Sequence, residues 1–508
     1  MNNTKTTGQQ WISPQACLGK NPSLRLKRKG DLCLLIDPDS ASWAVLPPLY
    51  FDFWKKLPTA GAWKQILEIE HPFSELKRSE VTLELYRQNM LTVNGRLYCD
   101  PAETFKTPKK YPDFICFHIT EACNLACRYC LADSVPTNKA MPLEVYKFAI
   151  RKVLTELPND TFTIDFHGGE PLLALDKIVE AVNYAEQLNE EENLGKKLLY
   201  SFQTNGTLLN EKNIEILKGI PRLQFGVSLD GPKSVHDKNR IFAGTQNGER
   251  GSFEVIVRNL KRAKEMGLRP GVLGVIHDPA DYLTSFKFFT EELGLREFRL
   301  NYSSYIGRSA RLLDFPLDRN GKFAENWLNM VDHAYEFAKK HDTHLRISDI
   351  DNQINNLIFK RRPFMCYRSP CGAGNSVFGF AIDGGIHACE ELASSGFLKL
   401  ANIYDPGLNL KELIDSSPQV AELNSRCVNN IPKCRRCMFK RFCTGGCTSK
   451  TLSFFGTIMR ESPMCSYYAK VFEGLMWRLY EHPDMTGYLG PENCRKGQWK
   501  PLFKDEDA

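Results

Sequence analysis

The alternation of strand-length and helix-length segments after residue 113 constrains the fold of this chain more than any other feature. Strands that alternate with helices pair in parallel through right-handed crossovers. The pattern therefore predicts an α/β fold with an open, partial (β/α)6 barrel of the TIM type, whose chemistry lies at the carboxyl ends of the strands. The predicted strands are 114–119, 162–166, 198–203, 223–229, 272–276 and 298–302, with helical periods that include 175–188, 253–266 and 323–340.

Composition divides the rest of the chain. The first segment contains six basic side chains and no acidic one, which predicts a basic, flexible tail. The second segment predicts a small α+β domain with two strands around an Asp-rich turn, two helices and an Asn-Gly turn. The predicted divisions are the tail over 1–30, the small domain over 31–105, the barrel over 110–345, a Cys-rich domain over 346–480 and a carboxyl-terminal tail over 481–508.

The 508 residues include 17 cysteines, whose distribution indicates metal binding. No run of 18 apolar residues occurs, so we expect no membrane-spanning helix, and the polar start predicts a cytoplasmic protein without a signal peptide. Disulfides are rare in that reducing compartment. Cysteines bunch at 116–130 and 366–465, which predicts two separate metal-bearing regions. Most of the five cysteines that have no partner pattern are expected to be buried as small hydrophobic side chains. These five are Cys17, Cys33, Cys99, Cys116 and Cys494.

The first group of cysteines stands in HITEACNLACRYC, on the loop that leaves the first predicted barrel strand. Cys123, Cys127 and Cys130 have a CxxxCxxC spacing. A four-iron cluster normally takes four cysteines, so three thiolates leave one iron with an open position, as in catalytic metal sites. The spacing alone leaves open a zinc knuckle with a distant fourth ligand.

This cysteine motif resembles that of the radical S-adenosylmethionine (SAM) superfamily, and further landmarks follow in the order that the superfamily shows. HGGEP at 167–171 ends the second predicted strand, QTNG at 203–206 ends the third, and SLDGP at 228–232 ends the fourth. The resemblance implies a [4Fe-4S] cluster on the three cysteines, with SAM bound at its open iron. Each segment alone is also compatible with an ordinary turn.

The resemblance also implies which side chains bind SAM. The strand-end glycines suit this task because backbone without a side chain can approach a ligand closely. The implied assignments are Gly168, Gly169 and Glu170 for the methionine amino group, Ser228 and Arg240 for the carboxylate, and Asn205 for the ribose side.

The second group of cysteines resembles the seven-cysteine SPASM extension of peptide- and protein-modifying radical SAM enzymes. The resemblance implies two auxiliary [4Fe-4S] clusters, which need eight thiolates, and Cys366 is the expected eighth ligand with Cys427 as its rival. A hairpin at Asp383 and Gly384 is predicted to bring Cys371 and Cys389 together. A pair of zinc ribbons is the alternative. The implied ligands are Cys366, Cys371, Cys389 and Cys447 for the nearer cluster, and Cys434, Cys437, Cys443 and Cys465 for the farther one.

Glu390 is the predicted general base. In the sulfatase-maturing branch of the superfamily an Asp follows the cysteine equivalent to Cys389, and here Glu390 stands in that place. Burial beside a cluster could move the pKa of this carboxylate towards neutrality. An ordinary surface glutamate is the alternative, since Glu391 follows directly.

Three functions follow. Residues 31–105 loosely resemble the winged-helix domain that captures leader peptides in maturases of ribosomally made peptides, by adding a strand to a sheet edge. The first hypothesis is therefore a peptide maturase whose partners are a precursor peptide with a leader and a one-electron donor of the flavodoxin or ferredoxin type. The second is a sulfatase-maturase-type enzyme that oxidises Cys or Ser to formylglycine. The third is a zinc-containing nucleic-acid-binding protein, although six basic residues in a tail are more often merely solvated.

Overall fold

A computed structural model describes residues 12–13, 15–101, 105, 111–244, 250–311, 318, 320–362, 364–396, 398–494 and 499–504. Its first part contains two three-stranded sheets with strand orders β5-β1-β6 and β2-β3-β4, and both pair antiparallel. Two helices pack beside them, and Ser74 caps the second because its hydroxyl accepts from the Lys77 N–H. The elements are β1 Cys17–Lys20, β2 Arg25–Lys29, β3 Leu32–Asp37, β4 Ser42–Leu46, α1 Pro48–Lys56, β5 Gly61–Ala62, α2 Glu75–Arg87 and β6 Leu91–Val93.

The prediction of a flexible basic tail over residues 1–30 is wrong for the part of it that the structure describes. β1 is the central strand of its sheet, and β2 pairs with β3 along its whole length. Basic side chains of β2 have partners, since Lys27 forms an ion pair with Glu473 at 3.1 Å. Charge composition alone could not reveal this pairing, because a strand with one exposed face tolerates basic residues there. Most of residues 1–14 lie outside the described part of the chain.

The six predicted barrel strands are confirmed, and they pair in parallel in chain order. Apolar residues on one face of each strand, such as Ile115 and Phe117 of the first, lie in a core shared with the surrounding helices. The elements are β7 Phe114–Thr120, α3 Leu143–Glu156, β8 Thr161–Gly168, α4 Leu175–Glu191, β9 Lys197–Thr204, α5 Glu211–Lys218, β10 Leu223–Ser228, α6 Lys233–Asn239, α7 Phe253–Glu265, β11 Gly271–Ile276, α8 Asp281–Lys287, β12 Glu297–Tyr302, α9 Arg308–Arg311 and α10 Lys322–Lys340.

The Cys-rich region extends the same sheet. The order β13-β12-β11-β10-β9-β8-β7-β14-β15-β16 gives a ten-stranded sheet in which β14 pairs in parallel with β7, while β15 and β16 continue antiparallel. The predicted hairpin joins β14 to β15. The elements are β13 Arg346–Ile347, α11 Ser348–Phe359, β14 Val377–Phe380, β15 Gly385–His387, α12 Glu390–Ser395, β16 Lys399–Asn402, α13 Leu410–Ser416, α14 Pro418–Ser425, α15 Lys440–Cys443, α16 Thr448–Phe455, α17 Cys465–Glu481 and α18 Met485–Leu489.

The β2-β3-β4 sheet is joined tightly to the rest of the molecule. Leu34 and Val45 belong to the same apolar core as the barrel. The Trp43 indole N–H donates to the Leu357 carbonyl at 3.0 Å, and Lys360 donates to the Ser42 hydroxyl at 2.8 Å. Among the described helices, none combines the length and the apolar character needed to cross a lipid bilayer.

Candidate active site

The loop after β7 gathers three thiols at the carboxyl end of the sheet. Cys123 and Cys127 are buried, and Cys130 is half-buried. Backbone hydrogen bonds hold the loop, because the Cys123 N–H donates to the Val135 carbonyl and the Arg128 N–H donates to that of Asn239. Burial raises the pKa of the Cys123 thiol to about 12 and that of Cys127 to about 11. Three soft donors on one buried loop fit a thiophilic metal group.

Gly168 and Gly169 leave room for the backbone that leads into this loop. A Cβ atom on Gly168 would lie 2.0 Å from the Thr120 carbonyl oxygen, and one on Gly169 would lie 2.1 Å from that of Ala122. The two glycines also line the cavity beside the thiols. Their small size therefore serves the close packing of β8 against the thiol loop as well as any approach of a ligand.

Glu170 lies behind the wall of the cavity. Its fully buried carboxylate accepts from the Thr204 hydroxyl at 2.6 Å, the Asn205 N–H at 2.7 Å and the Leu172 N–H at 3.0 Å. It is not among the residues that line the cavity. The structure thus places Glu170 as the group that fixes the end of β9, rather than as a direct contact of a bound molecule.

Asn205 and Ser228 both line the cavity, and both already have partners within the protein. The Asn205 amide donates to Asn124 Oδ1 at 2.8 Å, and its Oδ1 accepts from the Thr207 N–H at 2.9 Å. The Ser228 hydroxyl, at the end of β10, accepts from the Gln203 amide at 3.0 Å. The structure brings these side chains to the same edge as the thiols, as predicted from the strand ends.

Arg240 reaches the thiol loop and is held by an acidic partner. Its Nε donates to Asp230 Oδ1 at 3.1 Å, its Nη1 lies 3.9 Å from Cys127 Sγ, and its guanidinium stacks 5.3 Å from the Tyr129 ring centroid. Asp230 also accepts from the Tyr129 hydroxyl and from the Val275 N–H. The buried pair presents a fixed cation at the cavity wall.

A cavity of about 550 Å³ joins the two cysteine regions. Its lining includes Cys123, Cys127 and Cys130 of the first region, and Cys366, Cys389, Cys443 and Cys447 of the second. Aromatic side chains, including Tyr302, Trp327, Phe364, Tyr367 and Tyr467, form much of the remaining surface. A molecule in this cavity would contact both groups of thiols.

The four cysteines assigned to the nearer cluster lie close together, and three of them, Cys366, Cys389 and Cys447, line this cavity. Each of these thiols interacts electrostatically with others of the set. Cys371 interacts with Cys366 and with Cys389, and Cys447 also interacts with both of those. The predicted hairpin therefore does place Cys371 near Cys389. Burial raises the pKa of Cys366 to about 12. Its rival, Cys427, is not among the described residues that line either cavity.

The four cysteines assigned to the farther cluster surround a second cavity of about 260 Å³. Cys443 interacts electrostatically with the other three, and Cys434 with Cys437 and Cys465. Cys443 and Tyr468 line both cavities, so the two spaces share a wall. The cysteines that line this cavity are Cys434, Cys437, Cys443 and Cys465.

Glu390 lines the cavity of about 550 Å³, called the central cavity from here on. It forms an ion pair with His167 at 3.0 Å. Burial alone would lower the pKa of His167, but Glu390 outweighs it and raises that pKa to about 9. Burial alone would likewise raise the pKa of Glu390, but His167 lowers it to about 2. The predicted pKa near neutrality is therefore wrong, since the sequence did not show that His167 lies opposite.

A buried polar layer on the strands that carry His167 and its neighbours was not predicted from the sequence. The Cys116 thiol lies 3.8 Å from Asp165 Oδ2, and Asp165 Oδ1 accepts from the Ser201 hydroxyl at 2.5 Å. Burial raises the pKa of Asp165 to about 6 and lowers that of His118 to about 3. These residues occupy alternate positions of β7, β8 and β9, a signal that strand periodicity does contain.

Comparison with known proteins identifies the family. Residues 117–279, which include all three thiols of the first loop, match the family model of the radical SAM superfamily. The chain is a radical SAM enzyme.

Relatives of this radical SAM enzyme include a cysteine-type anaerobic sulfatase-maturating enzyme of Clostridium novyi. The two are 25% identical over 364 residues, which cover 69% of this chain and 91% of the relative. Among solved structures, native anSMEcpe with bound AdoMet matches with a TM-score of 0.61 and 23% identity, covering 72% of this chain and 98% of that one. Streptococcus suis SuiB bound to precursor peptide SuiA matches with a TM-score of 0.52 and 14% identity, covering 88% of this chain and 99% of that one.

The cofactors of this radical SAM enzyme are a [4Fe-4S] cluster and SAM, and the Cys-rich region fits auxiliary clusters. The donor sets agree with this: three thiols stand on the first loop and four around each of the other two sites. The alternative of a zinc-containing nucleic-acid-binding protein lacks support, because the family that matches residues 117–279 uses an iron–sulfur cluster and SAM.

Proposed function

We propose that this enzyme modifies a ribosomally synthesised precursor peptide after translation. The observation that carries the proposal is the shared cavity of about 550 Å³, whose lining includes both the SAM-side thiols and three of the four nearer auxiliary thiols. A C–H bond placed between them has a radical source on one side and an electron acceptor on the other. The same cavity would hold the cluster and SAM as well as the part of the peptide that carries this bond.

The proposed ligands of the SAM cluster are Cys123, Cys127 and Cys130, because they share one buried loop at the cavity wall. When bound, the cluster and SAM supply a 5′-deoxyadenosyl radical that abstracts a hydrogen atom from an unactivated C–H bond. Arg240 is proposed to bind the carboxylate of SAM, since its guanidinium faces the cavity and is held by Asp230. Ser228 and the Gly168–Gly169 backbone complete that side, and Asn205 stays the proposal for the ribose.

The proposed auxiliary ligands are the two sets of four cysteines described above, with Cys366 preferred over Cys427 because only Cys366 lines the central cavity. All 17 cysteines are described, and none forms a disulfide. Free thiols and iron–sulfur ligands both suit a reducing compartment, which supports our proposal of a cytoplasmic enzyme.

Glu390 is our proposal for the base, on the ground of its position. It lines the cavity and directly follows Cys389, so it would face a substrate held in that cavity. The ion pair with His167 keeps the carboxylate ionised but lowers its pKa, so Glu390 would accept the proton released when a substrate radical is oxidised as a weaker base than a free glutamate.

The amino-terminal sheets are proposed to bind a leader peptide. Among the described strands, β2 lies at one edge of its sheet and has mostly exposed residues, whereas β4, at the other edge, lies against the core through Trp43 and Ser42. An extended peptide can add to such an exposed edge. The fold match to SuiB supports this proposal, because it covers 88% of the chain against 72% for anSMEcpe.

Sulfatase maturation is the second candidate function. The Clostridium novyi relative carries that name and aligns over 69% of this chain. In this case the substrate would be a Cys or Ser side chain of a sulfatase, oxidised to formylglycine in the same cavity.

The test is anaerobic turnover with a leader-bearing precursor peptide encoded beside this gene, compared with a sulfatase-derived peptide. We expect the precursor to stimulate 5′-deoxyadenosine release and to gain a mass change, and the triple variant C123A/C127A/C130A to release none. Cys33→Ala, a buried cysteine of β3 outside both cavities, is the matched control and should retain activity. Stimulation by the sulfatase peptide alone would favour the second candidate.

A further inference from the structure

The second cavity, which is lined by Cys434, Cys437, Cys443 and Cys465 and is called the outer cavity below, has a strongly basic rim. Lys433 and Arg436 line this cavity and are exposed, Arg435 is exposed between them, and Arg460 lies next to Glu461, another lining residue. Cys434 and Cys437 alternate with these residues in the sequence KCRRC. Lysine and arginine side chains therefore line this cavity together with its four thiols.

Little of this positive charge is neutralised within the protein. Glu461 is mostly buried and pairs with Lys433 at 3.3 Å and with Arg460 at 3.6 Å. Neither Arg435 nor Arg436 forms an ion pair with an acidic residue in the described part of the chain. The patch, defined as Lys433, Arg435, Arg436 and Arg460, thus carries a net positive charge at the mouth of the cavity.

The position of the patch connects the surface to the centre of the enzyme. Cys443 and Tyr468 line both the outer and the central cavity. The Tyr468 hydroxyl lies 2.8 Å from that of Tyr302, which faces the central cavity. An electron that enters or leaves at the patch would therefore cross one shared wall rather than the width of the molecule.

We propose that the basic patch docks a small acidic protein that carries one electron at a time. Charge complementarity selects such a partner, because opposite potentials steer encounter and fix orientation. In the docked complex the reduced carrier loses one electron and the enzyme gains one, with no transfer of atoms. The proposal rests on the proposed function only in assigning an iron–sulfur cluster to the four outer thiols.

The test uses the reconstituted enzyme with reduced flavodoxin, an acidic carrier, as the probe. For the charge-reversal variant R435E/R436E we expect the Kd for flavodoxin to rise by roughly tenfold or more at low salt, and this difference to shrink as salt screens the charges. Flavodoxin-driven SAM cleavage, measured without any precursor peptide, should fall in parallel. Cleavage driven by dithionite should be unchanged, because a small reductant needs no docking surface.

Three results would overturn the proposal. R258E/K261E reverses two exposed charges on α7, away from both cavities, and an equal effect of this control would show that net charge alone matters. Unchanged flavodoxin binding in R435E/R436E would exclude the patch. Equal loss with flavodoxin and dithionite, accompanied by lower iron content, would assign the arginines to holding the cluster. None of these readouts depends on which peptide the enzyme modifies.

Discussion

Asp230 organises the SAM side of the cavity at the level of single residues. It is fully buried, accepts from Arg240 and Tyr129, and its own backbone N–H donates to His236 Nδ1 at 3.2 Å. Since Nδ1 accepts, the proton of the neutral ring must lie on Nε2, which donates to the Ser252 hydroxyl at 3.0 Å. Ser252 in turn donates to the Arg240 carbonyl. His236 thus fixes both ends of the segment that carries Arg240.

This network predicts a pH dependence of stability. Burial lowers the pKa of His236 to about 4, below its ordinary value of 6.5. The unfolded chain therefore binds more protons than the folded one between these values, so stability is complete above pH 6.5 and is lost as pH falls towards 4. Between pH 7 and pH 5 the loss from this residue is about 2 kcal/mol. We expect His236→Gln to lose correspondingly less of its free energy of unfolding over that interval.

The measurement is anaerobic chemical denaturation at pH 7 and pH 5 for both proteins. His333→Gln, an exposed histidine on α10, is the control and should behave as the wild type does. If His236→Gln and the wild type lose the same stability between the two pH values, His236 is not buried in its neutral form.

At the level of elements, the contact between the end of β8 and the thiol loop predicts the effect of a single methyl group. Gly169→Ala would place its Cβ atom 2.1 Å from the Ala122 carbonyl oxygen, so the backbone just before Cys123 must move. We expect the variant to lack the iron of roughly one cluster after reconstitution, because the three thiols must be placed to within a few tenths of an ångström to bind the same cluster. Iron and sulfide analysis with electron paramagnetic resonance measures this directly.

Gly271→Ala is the matched control for that substitution. Gly271 begins β11, and the nearest atom to a Cβ there is 3.9 Å away. This variant should bind iron as the wild type does. A full complement of iron in Gly169→Ala would show that the loop tolerates the shift, and the close packing would then have no role in cluster binding.

The elements also show which parts of the fold a sequence reveals. The strands from β7 to β12 were predictable because each is a short apolar run between helical periods, and the thiol loop because its spacing is specific. The pairing of β14 with β7 was not, since the two strands are far apart in the chain and only the folded sheet brings them together. For the same reason the ion pair of His167 with Glu390 was hidden, although both residues stood out separately.

At the scale of the whole molecule, the three regions form a continuous structure. The ten-stranded sheet runs from the barrel into the Cys-rich region without a break. The loop before β4 packs on the outer cysteine region, where Lys440 pairs with Asp39 at 2.5 Å. α17, which begins at Cys465, also forms the ion pair of Glu473 with Lys27 of β2. The β2 edge proposed to bind a leader peptide is thus in contact, through α17, with the region that carries the outer thiols.

This continuity predicts the outcome of removing residues 1–100. The deletion would expose the core surface that Leu34, Ile36 and Val45 cover, and each such buried side chain contributes roughly 1.5–3 kcal/mol. It would also remove the partners of Leu357 and Lys360. We therefore expect the shortened chain to aggregate rather than to fold as an active core, as judged by size-exclusion chromatography and dye binding to apolar surface. Lys27→Ser, which breaks only an exposed ion pair, should change the Tm little. A soluble, monodisperse shortened chain with all its iron would instead show that the amino-terminal sheets are an independent module.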